Sequence, residues 1–124
     1  MALLEVKDLD VRFAVRGGDL TALRGISFSL DKGERLGLVG ESGCGKSTLL
    51  RIVGGLLGPT SGDVVVGGQT PAEAQAEKGL GFVFQEPSLL PWRSAFDNIR
   101  LPREVNRARN RDFGQSVEDL LRLV

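Results

Sequence analysis

The sequence predicts an α/β fold, with a parallel sheet covered by helices and an antiparallel β subdomain before it. Three patterns in the 124 residues support this prediction. Apolar and polar residues alternate over residues 6–13 and 26–30, which is typical of half-buried strands. Residues 35–39 and 80–84 are short apolar runs, typical of buried parallel strands. Leucine and valine recur at helical spacing after residue 48, so a helix is expected there.

Glycine, proline and polar residues mark the connections between these elements. Residues 16–19 and 31–34 are polar stretches that contain glycine, so each is expected to form a turn. Residues 58–62 read Gly-Pro-Thr-Ser-Gly, which ends the first helix, and a further strand is expected over residues 63–66. Residues 71–78 are rich in Ala and Glu and predict a short exposed helix or a loop.

Two further helices are predicted in the last third of the chain. Ser94 is a good capping residue and predicts a short helix running toward Leu101. The last helix is predicted from apolar residues that share one face at helical spacing. These residues are Phe113, Val117, Leu120, Leu121 and Val124. The chain is expected to stop inside this helix.

A glycine-rich loop lies between the first predicted parallel strand and its helix. Residues 40–48 read Gly-Glu-Ser-Gly-Cys-Gly-Lys-Ser-Thr and fit the pattern G-x-x-x-x-G-K-[ST] at every fixed position. The strand before it and the helix after it are the context in which such a loop wraps phosphate groups. The sequence therefore predicts a site for a nucleoside triphosphate.

The residue types in this loop match the chemistry of a triphosphate. Gly40, Gly43 and Gly45 allow positive φ angles and a close approach, so that backbone N–H groups can point at the β-phosphate. Lys46 supplies a positive charge for the β- and γ-phosphates, and Ser47 offers a hydroxyl to Mg²⁺. The candidate nucleotide contacts in the loop are Gly40, Glu41, Ser42, Gly43, Cys44, Gly45, Lys46, Ser47 and Thr48.

Composition narrows the class of protein. The chain has 16 basic and 16 acidic side chains and no basic stripe, which argues against a nucleic-acid partner. Its one cysteine, Cys44, excludes an internal disulfide and fits a reducing compartment. Beside Lys46 this thiol could have a lowered pKa and react readily, although a small residue that merely fits is the favoured interpretation. With no signal peptide and only short apolar runs, a cytoplasmic protein is expected.

The motifs taken together resemble the N-terminal half of an ATP-binding subunit of an ATP-binding cassette (ABC) transporter. They occur in this order: Phe13, residues 40–48, Pro59-Thr60-Ser61-Gly62, Val83-Phe84-Gln85, Leu89-Leu90-Pro91-Trp92 and Asp97-Asn98. The resemblance covers nearly the whole chain. Within the family, residues 82–92 most resemble the ATPases of nitrate, sulfonate and taurine importers.

The resemblance implies a domain organisation. Residues 1–34 correspond to an antiparallel β subdomain, residues 35–92 to a P-loop NTPase core that extends to the glutamine loop, and residues 93–124 to the start of a helical subdomain. The fold is expected to be truncated before the signature and Walker B regions.

The resemblance also implies roles for individual residues. Phe13 corresponds to the aromatic residue that stacks on adenine, usually Tyr in the family, although a Phe at a strand end is also a common core residue. Gln85 matches a glutamine whose amide oxygen reaches Mg²⁺ or the attacking water, so Lys46 and Gln85 are the candidate catalytic residues. Residues 89–92 resemble part of the surface that contacts a membrane permease, although such an apolar run is equally often core.

Three parts that the family uses for hydrolysis are missing from the sequence. There is no histidine, no aspartate follows a run of four apolar residues, and no Leu-Ser-Gly-Gly-Gln signature occurs. The expected explanation is a partial sequence that does not hydrolyse ATP efficiently by itself, because no glutamate is positioned to activate water. Such a fragment is expected to be marginally stable and to aggregate.

Three functions remain possible on the sequence alone. The favoured one is the motor subunit of an importer, peripheral on the cytoplasmic face of the membrane, which binds ATP and Mg²⁺. Its expected partners are a permease, a second ATPase subunit in a homodimer and, indirectly, a solute-binding protein. The alternatives are a module that binds ATP without catalysis, and a soluble ABC-type or other P-loop ATPase not tied to transport.

Overall fold

A computed structural model of the chain describes residues 2–110 and 114–124. The described chain forms two compact units, the first ending at Gly81 and the second beginning at Phe82. The first unit contains a β-sheet and two helices, and the second contains only helices and loops. The predicted apolar position at Phe113 lies outside the described residues.

An antiparallel sheet of three strands forms the first unit. The strands are β1 (Ala2–Val15), β2 (Gly18–Asp31) and β3 (Ser61–Val66), in the order β2-β1-β3. A turn was predicted over residues 16–19. Val15 pairs with Gly18, so the turn that closes this long hairpin is shorter and consists of Arg16 and Gly17. The predicted strands over residues 6–13, 26–30 and 63–66 are confirmed, and each is longer than the pattern indicated.

Two helices complete the first unit. Helix α1 (Lys46–Val53) follows the glycine-rich loop as predicted, but it ends at Val53, before the stop that was predicted at residues 58–62. Helix α2 (Pro71–Ala76) begins at Thr70, whose hydroxyl accepts a hydrogen bond from the Glu73 N–H while the Glu73 carboxylate accepts one from the Thr70 N–H. The helix predicted within residues 71–78 is thus present, but it is not fully exposed, because Ala74 is buried.

The core of the first unit lies where α1 and α2 cover the sheet. It is an aliphatic cluster in which the sheet contributes most of the residues and the helices contribute three. Its members are Val6, Leu9, Val11, Leu23, Leu49, Ile52, Val64, Val66 and Ala74. This packing holds the start of α1, and with it the glycine-rich loop, against the sheet.

The two predicted parallel strands are absent from the described part of the chain. Residues 35–39 and 80–84 form no ladder with any described strand. Val39 and Val83 are 94% and 96% exposed. The backbone N–H and C=O groups of a strand need a neighbouring strand as their partner. The described sheet pairs only β1, β2 and β3, so the predictions of these two parallel strands were wrong.

The second unit is helical. Helix α3 (Ala95–Glu104) is capped by Ser94, whose hydroxyl accepts a hydrogen bond from the Asp97 N–H at 3.1 Å, as predicted. A short 3₁₀ turn (Arg107–Arg109) and helix α4 (Val117–Arg122) follow. Val117 is buried, whereas Val124 is fully exposed and does not contribute to the predicted apolar face. Within the described residues, no helix has the length and apolar character needed to cross a membrane.

Candidate functional site

Two glycines give the phosphate-binding loop its path. Gly43 and Gly45 have φ angles of 82° and 96°, in the left-handed region that favours glycine. The Cys44 N–H donates to the Glu41 carbonyl at 3.3 Å, which closes the loop. The prediction that Gly40 also needs a positive φ was wrong, because its φ is not in that region.

Gly40 is restricted by the close approach of the Cys44 side chain, not by its φ angle. A Cβ atom on Gly40 would lie 2.6 Å from the Cys44 Sγ atom and 3.7 Å from the Lys46 Nζ atom. Gly45 is restricted in the same way, since a Cβ there would lie 2.7 Å from Leu23 Cδ2 in β2. The loop thus folds back on itself at Gly40 and packs against β2 at Gly45.

Lys46 places its charge on the loop. Its ammonium group donates hydrogen bonds to the carbonyl of Gly40 and to the carbonyl of Glu41, the second at 2.8 Å, and lies 3.3 Å from the Cys44 Sγ atom. These contacts hold the cation above the backbone that the sequence assigned to phosphate binding.

The first turn of α1 leaves backbone donors available. Gly45 is the N-cap, and among the described residues no side chain caps this helix end. The Leu49 N–H donates to the Gly45 carbonyl at 2.9 Å, so the N–H groups of residues 46–48 lie ahead of the first helical bond. Unpaired donors together with the positive end of the helix dipole favour an anion at this point. Ser47 is exposed in the same turn.

The thiol of Cys44 is electrostatically coupled to Lys46. The thiol is exposed, and the hydrogen bond from the Lys46 ammonium lowers its pKa because the bond and the positive charge favour the thiolate. The sequence left open whether this residue is a reactive thiol or merely a small one. The contact with Lys46 favours a reactive thiol.

Phe13 lies on β1 and its side chain is partly buried. It pairs with Leu20 of β2 and packs, partly buried, against the aliphatic core. Stacking on adenine requires one free ring face, and a partly buried ring satisfies both interpretations of this residue. Its nucleotide role remains a prediction.

The other predicted site residues belong to the second unit. Gln85 is exposed, and it follows residues 80–84, the segment that forms no strand. Leu89 and Trp92 are 68% and 77% exposed, so the core interpretation of residues 89–92 is wrong for these two side chains, whereas Leu90 is partly buried. The sequence did not predict that Asn98, in the first turn of α3, hydrogen-bonds this surface segment.

Residues 40–44 of the loop are exposed. In the described ranges, no cluster of three or more Cys, His, Asp or Glu side chains is arranged to hold a metal ion. A cleft of about 450 Å³ lies elsewhere in the first unit, between the end of α1 and the start of α2, and includes no residue of the loop. The groups of the loop that are available to an anion are the backbone N–H groups at the start of α1 and the Lys46 ammonium.

Comparisons with known proteins identify relatives along the whole chain. The family model described as ABC transporter matches residues 23–124. The methionine import ATP-binding protein MetN 1 of Burkholderia lata is 41% identical and is matched over 98% of this chain but 37% of its own length. The taurine import ATP-binding protein TauB of Roseobacter denitrificans is 38% identical, over 100% of this chain and 46% of its own length.

A nitrate transport protein and a solved structure extend these similarities. The nitrate transport protein NasD of Klebsiella oxytoca is 37% identical over 94% of this chain and 44% of its own length. The dimeric structure of a bacterial ABC transporter cassette superposes with a TM-score of 0.78 and 28% identity, over 96% of this chain and 53% of that one. This likeness confirms the predicted fold class, an α/β fold with a P-loop core and an N-terminal antiparallel β subdomain. The chain spans less than half the length of the three named transport proteins, and it belongs to the ABC transporter family.

Proposed function

We propose that this chain is the nucleotide-binding part of the motor subunit of an ABC importer, which binds Mg-ATP to power solute transport. The observation that supports this most is the loop at residues 40–48, where a complete phosphate-binding pattern coincides with two left-handed glycines and a lysine held on the backbone. The names of the relatives in methionine import, taurine import and nitrate transport support the importer assignment.

ATP binding would use the groups already gathered at the loop. The N–H groups of residues 46–48 would donate to phosphate oxygens, and Lys46 would exchange its loop carbonyls for the β- and γ-phosphates. This exchange keeps the ammonium fully hydrogen-bonded in both states. Phe13 would offer one ring face to adenine.

Hydrolysis in the complete subunit needs a metal and a positioned water. Mg²⁺ would neutralise charge that develops on the phosphates, and the exposed hydroxyl of Ser47 fits a ligand of a hard cation that takes its other oxygens from phosphates and water. The proposed role of Gln85, as a ligand of Mg²⁺ or of the attacking water, rests on the resemblance of residues 83–85 to the family motif.

The proposed partners follow the same assignment. A second ATPase subunit would form a homodimer, and a permease would contact the segment from Gln85 to Trp92. A solute-binding protein would act through the permease, and the subunit would be peripheral on the cytoplasmic face of the membrane. We further propose that residues 1–34, 35–92 and 93–124 are its β subdomain, core and start of the helical subdomain.

The solutes that we propose for the importer are nitrate, sulfonate or taurine. Residues 82–92 resemble nitrate, sulfonate and taurine importers, while relatives at similar identity include a methionine importer. Solute selection belongs to the permease and the binding protein, so we retain the nitrate, sulfonate and taurine group as a proposal.

Reconstitution tests the proposed function. The complete subunit, purified with its permease in proteoliposomes, is expected to hydrolyse ATP faster when the solute and its binding protein are present. Lys46→Ala is expected to lower transport and hydrolysis by about two orders of magnitude or more, since it removes charge stabilisation from the phosphates. Hydrolysis that Lys46→Ala leaves unchanged would show that the loop is not the catalytic nucleotide site.

A further inference from the structure

The hairpin of β1 and β2 ends in a two-stranded ribbon, residues 12–21, which we call the hairpin tip. Strand β1 pairs with β3 as far as Asp10, which lies opposite Ser61. Beyond that point β2 is the one described strand that pairs with β1. Phe13 is partly buried, and every other residue of the tip is exposed. A two-stranded ribbon with so little burial is marginally stable, so contacts at its base decide how firmly it is held.

Thr60 braces β1 at the base of the hairpin tip. The Arg12 N–H donates a hydrogen bond to the Thr60 hydroxyl at 2.9 Å, and that hydroxyl donates a long hydrogen bond, 3.5 Å, to the Arg12 carbonyl. The Thr60 N–H donates to the Asp10 carbonyl at 3.0 Å. Because a hydroxyl can accept and donate at once, Thr60 replaces the strand residue that β3 lacks ahead of Ser61.

The phosphate-binding loop lies against the other strand at the same base. The register of β1 with β2 shifts between Val11 and Arg12, and it skips Ala22 of β2. Such a shift indicates a β-bulge, which bends the strand locally. A Cβ atom on Gly45 would lie 2.9 Å from the Ala22 carbonyl oxygen, so the loop packs directly on this bulge. The base of the tip is thus held by Thr60 on one strand and by the loop on the other.

Helix α1 joins these two contacts along the chain. It begins at Lys46, next to the loop, and ends at Val53, shortly before Thr60. Leu49 and Ile52 hold it in the aliphatic core. The position of the tip relative to the loop therefore depends on contacts at both ends of one packed helix.

The brace acts on the residue next to Phe13. The Arg12 carbonyl group forms the planar peptide bond to Phe13, so hydrogen bonds to Arg12 fix the plane from which the Phe13 side chain projects. An aromatic ring on a mobile ribbon loses conformational entropy when a ligand orders it, whereas a ring on a braced ribbon loses less. A fixed tip therefore makes stacking on the Phe13 ring more favourable.

We propose that Thr60 is a positioning residue, which holds the hairpin tip so that the Phe13 ring is preorganised for adenine above the phosphate-binding loop. The contact between Phe13 and adenine rests on the proposed function, whereas the action of Thr60 on the tip rests on the hydrogen bonds to Arg12 and Asp10. Thr60 would thereby favour nucleotides over ligands that carry phosphates but no base.

Amide hydrogen exchange of the 124-residue chain tests the action of Thr60 on the tip. The wild-type Arg12 amide is expected to exchange more slowly than in an unstructured peptide. In Thr60→Val, which keeps the shape of the side chain but loses the hydroxyl, the Arg12 amide is expected to exchange about fivefold faster than in the wild type. Thr60→Ser keeps the hydroxyl and should restore the wild-type rate.

Thr21→Val is the matched control for this exchange experiment. Thr21 is exposed on the tip opposite Arg12, and its side chain makes no hydrogen bond to any residue that the structure describes. The Arg12 amide should therefore exchange at the wild-type rate in this variant. A wild-type Arg12 amide that exchanges at the unstructured rate would overturn the proposal without any substitution. Equal rates in Thr60→Val and the wild type would also overturn it.

Two ligands separate an effect on adenine from an effect on the phosphates. Mg-ATP and Mg-tripolyphosphate both offer phosphates to the loop, but only Mg-ATP carries a base. Thr60→Val is expected to weaken Mg-ATP binding about threefold, because a mobile tip is less often in the binding-competent position. Mg-tripolyphosphate binding should stay unchanged, and Thr60→Ser and Thr21→Val should bind both ligands as the wild type does. Equal losses for both ligands, or no loss for either, would overturn the proposal.

Phe13→Ala separates this proposal from the proposed function. It is expected to weaken the binding of Mg-ATP but not of Mg-tripolyphosphate, and adding Thr60→Val should cause no further loss, because Thr60 acts through the ring. A further loss in the double variant would overturn the positioning role. A wild-type chain that binds neither ligand would contradict the proposed function and the adenine part of this proposal, and the exchange of the Arg12 amide would then decide how Thr60 acts on the tip.

Discussion

At the scale of single residues, the contact between Lys46 and Cys44 links the charge of the phosphate-binding loop to a chemical probe. The ammonium and the thiol lie 3.3 Å apart, and the thiol is exposed. The ammonium favours the thiolate, so the pKa of Cys44 lies below the ordinary value for cysteine. Any change in the position of Lys46 should therefore change how readily Cys44 reacts.

Alkylation of Cys44 as a function of pH measures this coupling. Because the thiolate is the nucleophile, its rate of reaction with iodoacetamide is expected to rise with a midpoint below the ordinary cysteine pKa. Lys46→Met removes the cation and is expected to raise the midpoint. Mass spectrometry assigns the product without ambiguity, because the chain has one cysteine. Identical midpoints in the two proteins would contradict the described contact.

Some residues of the candidate site could be predicted from the sequence, and others could not. The pattern over residues 40–48 predicted the loop, the helix after it and a cationic lysine, because each depends on local geometry. It did not predict why Gly40 is glycine, since the contact with Cys44 depends on the folded loop. The four hydrogen bonds of the Asn98 side chain were not predicted for a similar reason, because they form only when residues 90–94 fold back on α3.

At the scale of elements, α1 determines whether the loop stays on the sheet. Ile52 is 1% exposed in the aliphatic core, whereas Leu50 on the same helix is 52% exposed. Ile52→Ala is expected to lower the free energy of unfolding by about 2–5 kcal/mol, through lost burial and a cavity. Leu50→Ala, the matched control, should cost much less, and urea unfolding followed by circular dichroism compares them. Equal losses would show that α1 does not pack as described.

Acid should weaken the second unit through Glu104. Hydrogen bonds from Arg93, and then from Arg100, lower the pKa of this carboxyl. A lowered folded-state pKa means that its stabilisation is present above the unfolded pKa and is lost as pH falls through the folded value. The melting temperature is therefore expected to fall on acidification below about pH 4.5.

Glu104→Gln is the control for this pH dependence. The variant should be less stable at neutral pH and lose less on acidification, because glutamine does not titrate there. Thermal melts at a series of pH values, followed by the fluorescence of Trp92, measure both effects. Parallel pH profiles for the wild type and the variant would exclude Glu104 as the group responsible.

Some strands and helices could be predicted from the sequence, whereas the two parallel strands were predicted wrongly. The alternating strands and the capped helices were predicted because their burial and caps are set by residues close in sequence. The runs at residues 35–39 and 80–84 have the composition of buried parallel strands, but such strands form only where a neighbouring strand completes the ladder. The described sheet provides none, so these apolar segments lie exposed.

At the scale of the whole molecule, the exposed apolar segments should cause self-association. Val39 and Val83 are almost fully exposed, each within an apolar stretch that belongs to no described strand or helix, and exposed apolar surface promotes association between chains. Sedimentation velocity is expected to show association that increases with concentration. The double variant Val39→Thr and Val83→Thr should associate less, while Val65→Thr, in the paired strand β3, should behave like the wild type. A chain that stays monomeric at all concentrations would contradict this expectation.

The binding of Mg-ATP to the chain shows whether residues 40–48 form a working nucleotide site. Calorimetric titration of the 124-residue chain is expected to show saturable binding with one site per chain, and Lys46→Ala is expected to abolish it. Thermal unfolding of both proteins in parallel establishes that they are folded. A wild-type chain that unfolds cooperatively but binds no Mg-ATP, or a Lys46→Ala variant that binds it equally well, would show that residues 40–48 are not a nucleotide site.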